Sequence, residues 1–283
     1  MPYRFLRFPG GKSKAVTFSY DDGFAADLRM MEIFNRFGMK CTLNLNSTRL
    51  GQPGAITPEH VQQYLAQGHE AAVHGAEHLA LGLLSPLEGV REVLRCREEM
   101  ESMLGRIIRG MAYADSGLRK MGSCTSYETI RKYLMDLGIS YARTLGQENA
   151  ECMLPQDWYA WMPTAHHDSP QLDEYMDQFL AVDPESGYQA RHYPRLMYIW
   201  GHSFEFENKG NWARLESICE KLGGREDIWY ATNGEIRDYA AGYEALVRSA
   251  DGKHTYNPNL FPIWMKYGGT VYCIQPGETL VLP

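Results

Sequence analysis

No stretch of this 283-residue chain approaches the roughly 18 consecutive apolar residues that a membrane span needs, so no membrane partner is expected. Basic clusters are equally scarce. Lys and Arg total 28 against 35 Asp and Glu, a formal net charge of -7. A mildly acidic chain gives a polyanion little to hold, and no nucleic-acid partner is expected. The six cysteines, at 41, 96, 124, 152, 219 and 273, form no CxxC pair, and none stands at zinc-finger spacing from a histidine. They read as small buried hydrophobes in a reducing compartment. The opening MPYRFLRFPGGKSK carries Arg4, Arg7, Lys12 and Lys14 but no apolar h-region, so no secretory signal is read and the cytoplasm is the expected location. FPGGKS is not a P-loop, because Leu6 stands where its first glycine belongs and no strand precedes it. What remains is ordinary for a folded domain: 44% hydrophobic and 22% charged residues, enough for a sizeable core.

Strand-like and helix-like segments alternate. Apolar or β-branched runs at 15–20, 41–45, 70–73, 107–113, 139–144, 158–164 and 196–200 read as strands. Between them come helical patterns. Thr57-Pro58 and Ser85-Pro86 open two, with Leu87, Val90, Leu94, Met100 and Leu104 towards the core in the second. Thr125-Ser126-Tyr127-Glu128 is a capping box for a third; Gly68 closes the first and Gly138 the third, and Gly38 closes an earlier helix through Leu28, Met31, Ile33, Phe34 and Phe37. Further helices are expected at 171–180, 212–222 and 235–247. About seven such units predict an α/β fold, a barrel of parallel strands over residues 1–250. Residues 251–283, rich in Gly, Pro, Tyr and β-branched types, predict a small C-terminal β segment.

In such a fold chemistry belongs at the C-terminal ends of the strands. Those ends gather Asp21-Asp22-Gly23, His74-Gly75-Ala76-Glu77-His78, Arg109 with Tyr113, and Trp200-Gly201-His202. A bend at Gly23 lets two adjacent carboxylates share one pocket, one to ligate a cation and one to take a proton. His74 and His78, four apart, share a face if that segment is helical and suit one metal. HGAEH also fits H-x-x-E-H, a metalloprotease pattern with Glu77 as base, but that pattern needs a long helix, and Gly75, Gly82 and Pro86 interrupt this segment. One carboxylate and two imidazoles leave open positions on a divalent ion, for which zinc is the natural choice and cobalt, nickel, manganese or iron also fit. Trp161 and Trp200, each on a strand leading to the rim, and His166 nearby are candidate substrate contacts.

Taken in order, these segments resemble the polysaccharide deacetylase family (NodB homology, carbohydrate esterase family 4). Ser19-Tyr20-Asp21-Asp22-Gly23 matches its T-F-D-D-G motif and His74 to His78 its H-[ST]-x-x-H, with Gly75 in place of the hydroxyl residue. Arg109-Gly110-Met111-Ala112-Tyr113 approaches R-x-x-P-Y, and Tyr198 to His202 its final strand and histidine. D-x-x-D-W is only hinted at by Asp157-Trp158. The resemblance covers roughly residues 14–206 and implies a distorted (β/α)7 barrel. It implies Asp21 as general base; Asp22, His74 and His78 as metal ligands; Arg109 orienting Asp21; the Tyr113 backbone N–H on the oxyanion; and His202 as general acid. The reaction it implies is metal-dependent removal of an acyl group, such as acetyl, from a carbohydrate. The sequence leaves two other readings: a cyclic amide or ureide hydrolase (allantoinase-like) on the same fold, and a non-catalytic carbohydrate-binding barrel. A homo-oligomer through the Tyr- and Trp-containing C-terminal segment is a further expectation.

Overall fold

The computed structural model describes residues 2–115, 117–120, 124–184 and 192–283. After an edge strand β1 (Arg4–Arg7), the chain lays down β2 (Lys14–Asp21), β3 (Cys41–Leu45), β4 (Glu70–Val73), β5 (Gly110–Ala112), β6 (Tyr141–Arg143), β7 (Ala165–His166), β8 (Arg195–Gly201) and β9 (Ile228–Tyr230). From β2 onward these strands form one parallel sheet in the order β6-β5-β4-β3-β2-β8-β7, with β9 added alongside β2. The ring closes at one residue: Trp161 bridges β6 at Arg143, and the same segment then pairs with β8 at Ala165. The result is the barrel of parallel strands that the alternation predicts, with the distortion that the resemblance implies. The expected strand at 158–164 is instead a 3-10 turn, Trp158–Ala160, running into the two-residue β7.

Helices α1 (Asp27–Arg36), α2 (Pro58–Ala66), α3 (Pro86–Leu104), α4 (Tyr127–Asp136), α5 (Leu172–Ala181), α6 (Ser203–Lys209), α7 (Trp212–Leu222) and α8 (Asn233–Glu244) follow the strands. Their starts are set locally. Thr57 and Ser85 cap α2 and α3 through their side-chain oxygens, each with proline at the first helical position, where its missing N–H costs nothing. The cap of α4 is Ser126, one residue later than the sequence suggests. The inner face of α3 agrees with expectation at Met100 and Leu104 and departs from it at its start. Leu87 is exposed, and Glu92 lies buried among Gly89, Val93 and Cys96. That buried glutamate returns in the site.

The C-terminal β character is present. β12 (Ile263–Tyr267) and β13 (Thr270–Ile274) form a hairpin, and β12 pairs antiparallel with β1, so both ends of the described chain share one sheet. Short strands β10 (Val247–Arg248), β11 (His254–Tyr256) and β14 (Thr279–Val281) make another. Two apolar clusters result, one between the barrel and its helices and one around Trp161, Tyr198, Tyr141 and the C-terminal sheet. Among the described residues no helix is long and apolar enough to cross a membrane.

Candidate active site

At the end of β2 the backbone makes a sharp turn. Asp22 has φ 78° and Gly23 φ 71°, both left-handed. Successive strand side chains point to opposite faces, so this turn is what lets Asp21 and Asp22 look into one pocket. A non-glycine residue held there costs about 1–3 kcal/mol, which the surroundings must offset. Asp22 N–H donates to Asn44 O at 2.9 Å, and a Cβ on Gly23 would meet Leu45 Cδ2 at 2.9 Å.

Asp22 Oδ1 is buried without a hydrogen-bond partner among the described residues. It faces His78 Nε2 at 3.4 Å and His74 Nε2 at 3.7 Å. His74 Nδ1 lies 2.9 Å from Ala112 O. Only a protonated Nδ1 can bond that carbonyl, so its Nε2 presents a lone pair towards Asp22. Burial, the largest influence, also holds the His74 ring below the ordinary imidazole pKa and hence neutral. Two donors each about 2.0–2.1 Å from one ion at a tetrahedral angle stand about 3.3 Å apart. The orphaned oxygen, the fixed tautomer and the spacing together fit a divalent ion.

The two histidines do not sit on a helix as their spacing suggests. Residues 74–80 form a loop, with Gly75 at φ 83° and His78 at φ 60°. Glu92 holds the loop from α3. Its Oε1 accepts the N–H of Glu77 at 2.8 Å and of Leu79 at 3.2 Å. A Cβ on Gly75 would approach that same oxygen to 2.6 Å. Gly75, standing where the motif it resembles has a hydroxyl residue, leaves room for a carboxylate that reaches in from another element.

Asp21 is gripped twice. Arg143 Nη2 donates to its Oδ2 at 2.6 Å and Asn44 Nδ2 to its Oδ1 at 2.7 Å. Burial pushes the Asp21 carboxyl up, but Arg143, followed by His74 and His202, brings it below the ordinary aspartate value. Arg143 is itself buried, with its guanidinium over the Trp200 ring at 4.7 Å.

Arg109, expected in that role, lies elsewhere. It precedes β5, so it sits at the N-terminal rim, three strand residues from Tyr113, and pairs with Asp238 of α8. The Tyr113 backbone N–H is likewise not free for an oxyanion, because it donates to Arg143 O at 2.9 Å. Trp161 corrects a third expectation. It is fully buried, edge-on to Tyr141, Trp158 and Tyr198, and fills the barrel rather than meeting a substrate.

His202 does reach the site, its Nε2 3.9 Å from Asp21 Oδ2. On its other side Nδ1 is 3.4 Å from Oε1 of Glu205, three residues on in α6. Burial disfavours the charged ring, but Glu205, with Asp21 and Asp22, outweighs it and raises the His202 pKa. Glu205 Oε2 in turn lies 3.0 Å from Nε2 of both His166 and His167. Against its own burial, these imidazoles and His202 hold the Glu205 carboxyl far below the usual carboxylate range. Trp200 and His166 line a cavity of about 340 Å³ beside Arg143, with Gln147, Glu148 and Pro163.

Sequence reading therefore missed Arg143, Asn44, Glu92, Glu205 and His167. Arg143 had a signal, since it ends a strand, the rule applied to the other rim residues. Glu205 had a weaker one in its three-residue spacing from His202.

A parallel barrel carrying an Asp-His-His group, a buried Asp–Arg pair and a His–Glu pair at its strand ends has the layout of a hydrolase with a candidate metal centre. The family model described as polysaccharide deacetylase matches residues 9–141, bearing out the resemblance read from the motifs. That stretch contains Asp21, Asp22, His74 and His78 and stops before Arg143 and His202. Among solved structures, a putative polysaccharide deacetylase from Mycobacterium smegmatis shares the fold at TM-score 0.59 and 18% identity, over 88% of this chain and 97% of that one. A probable polysaccharide deacetylase from Pseudomonas aeruginosa PAO1 gives 0.58 and 14%, over 82% and 92%. Puue allantoinase gives 0.60 and 13%, over 82% and 91%. No curated protein matches the sequence.

Proposed function

We propose that the protein is a divalent-metal-dependent hydrolase that removes acyl groups, such as acetyl, from a saccharide. The observation that carries this reading is the pair of neighbouring aspartates with divided environments. Asp22 faces two imidazoles with an orphaned oxygen, while Asp21 is held ionised by Arg143 and Asn44. Asp22, His74 and His78 would hold the ion, which when bound supplies Lewis-acid polarisation of the acyl carbonyl and acidifies water.

The rest of the chemistry belongs to the chain. Asp21, ionised and fixed by two hydrogen bonds, accepts the proton of the attacking water. His202, on the far side of Asp21 and raised by Glu205, gives a proton to the departing amine or alcohol. Arg143 keeps Asp21 in its basic form, and Trp200 and His166, edge to face with each other, line the cavity in which the sugar would lie. A cyclic amide or ureide presents a similar carbonyl and is the second reading. The family match over residues 9–141 favours the acylated saccharide.

The test is acetate release from a panel of acetylated oligosaccharides, with cyclic ureides as a second arm, using chelator-treated and metal-reconstituted protein. Metal-dependent acetate release that Asp21→Asn abolishes while bound metal is retained is the expected result. Ureide opening without acetate release overturns the saccharide reading, and unchanged turnover in Asp21→Asn overturns the assigned base.

A further inference from the structure

Beside His202 lies a second group of metal-type donors, of which the proposed reaction uses only Glu205 and His166 and leaves His167 and Asp168 without a task. His166 ends β7, His167 and Asp168 follow it, and Glu205 comes from α6; their ligand atoms all fall within 4.8 Å of one another. His167 is fully buried between the rings of Tyr20 and Phe206. Its Nε2 is 3.0 Å from Glu205 Oε2 and 3.3 Å from Asp168 Oδ2. Neither its ring nitrogens nor Glu205 Oε2 has an aligned hydrogen-bond partner among the described residues. Close approach without alignment is what donors sharing an ion show, since each points at the ion and not at its neighbour. The spacings also match the roughly 3.3 Å expected of tetrahedral donors. Gly201 makes the placement achievable, because a Cβ there would come within 2.0 Å of His167 Nδ1.

We propose that His167 Nε2, Asp168 and Glu205 form a second divalent-cation site, distinct from the Asp22-His74-His78 group. His166 is a neighbour rather than a ligand. Its Nδ1 accepts the Asp168 N–H at 3.2 Å, so its Nε2 carries the ring proton and offers an ion no lone pair, 3.0 Å from Glu205 Oε2. One imidazole and two carboxylates suit zinc, cobalt, manganese, nickel or iron in the divalent state. Lys209 pairs with Asp168, but more than half of its side chain is exposed, so it can swing into solvent when a divalent ion takes its place. Glu205 Oε1 remains directed at His202, so occupancy of this site reaches the proposed acid. The inference does not rest on the deacylase reading.

The experiment titrates chelator-stripped protein with Co²⁺, reading visible absorption together with metal content after gel filtration. Wild type takes up two equivalents. Asp22→Ala/His78→Ala protein takes up one, and adding Asp168→Asn weakens that binding at least tenfold. Replacing fully buried His167 endangers folding, so partly exposed Asp168 carries the test. Glu205→Gln is the second variant, with thermal melts confirming the fold of each. One equivalent in wild type that disappears in Asp22→Ala/His78→Ala overturns the second site and leaves the first standing. One equivalent that survives there and is lost with Asp168→Asn supports the second site and overturns the first. Binding insensitive to both Asp168→Asn and Glu205→Gln also overturns the proposal.

Discussion

Arg143 and Asp21 end two strands that are not neighbours in the sheet, yet their side chains meet across the barrel mouth at 2.6 Å, both almost wholly buried. A buried carboxylate stripped of its counter-charge costs about 3–5 kcal/mol. Arg143→Met is therefore expected to lower stability by that order and turnover by about a hundredfold or more. Losing the cation also raises the Asp21 pKa, so the acid limb of the rate profile moves to higher pH. Arg143→Lys keeps the charge without the fork and recovers part of the activity. Arg109→Ala breaks only an exposed pair and changes stability by about 1 kcal/mol or less. Urea melts and pH–rate profiles of the three variants check this. A crippled Arg109→Ala beside a healthy Arg143→Met contradicts the geometry.

Glu205→Gln tests the partner of His202. The carboxylate favours the charged imidazole, so removing it lowers the His202 pKa. If His202 must be protonated to act, the alkaline limb of kcat/KM shifts to lower pH and kcat falls about 10–100-fold, with KM little changed. A variant that loses activity with an unmoved alkaline limb shows a structural role for Glu205 and no part in setting the acid.

These two residues show what the sequence discloses and what it withholds. Asp21 ends a strand, Asp22, His74 and His202 follow one directly and His78 is four residues past His74, and a rule about parallel strands is enough to bring them together. Arg109 matched a motif by spacing, but three strand residues carry the chain across the barrel, so Arg109 and Tyr113 end on opposite rims. Arg143 was reachable by the same strand-end rule. Trp161 was misplaced because an aromatic near a rim and an aromatic plugging a barrel have the same local pattern. Glu92 and His167 were hidden because their roles depend on contacts between α3 and the 74–80 loop, and between β7 and α6, which no local period encodes.

Glu92 gives a third prediction. Its carboxylate holds the loop bearing His74 and His78 through two backbone N–H groups. Outer supports of metal ligands typically change affinity by about 10–100-fold when removed. Glu92→Ala is expected to weaken binding at the Asp22-His74-His78 group by that factor, measured by competition with a chromophoric chelator. Gly75→Ser does not improve affinity, because its Cβ would lie 2.6 Å from Glu92 Oε1 and its φ is 83°. Unchanged affinity in Glu92→Ala removes the brace from the account.

Asp27 supplies the last prediction, and it concerns stability. It opens α1 beneath the site, fully buried, with neither carboxyl oxygen hydrogen-bonded among the described residues. Burial, the largest influence, raises its pKa from 3.8 to about 7. The folded value lies above the unfolded one, so the native state retains a proton that the unfolded chain releases. The stability tied to that proton is fully present below about pH 3.8 and is lost as pH rises towards 7. Asp27→Asn has nothing to ionise. Relative to wild type it gains stability as pH rises from 4 to 8, by an amount on the order of a few kcal/mol at the upper end. Urea melts of both proteins at several pH values isolate this group, because the other carboxylates cancel in the difference. A difference that stays constant across that range means Asp27 is ionised in the folded protein, and the burial argument fails.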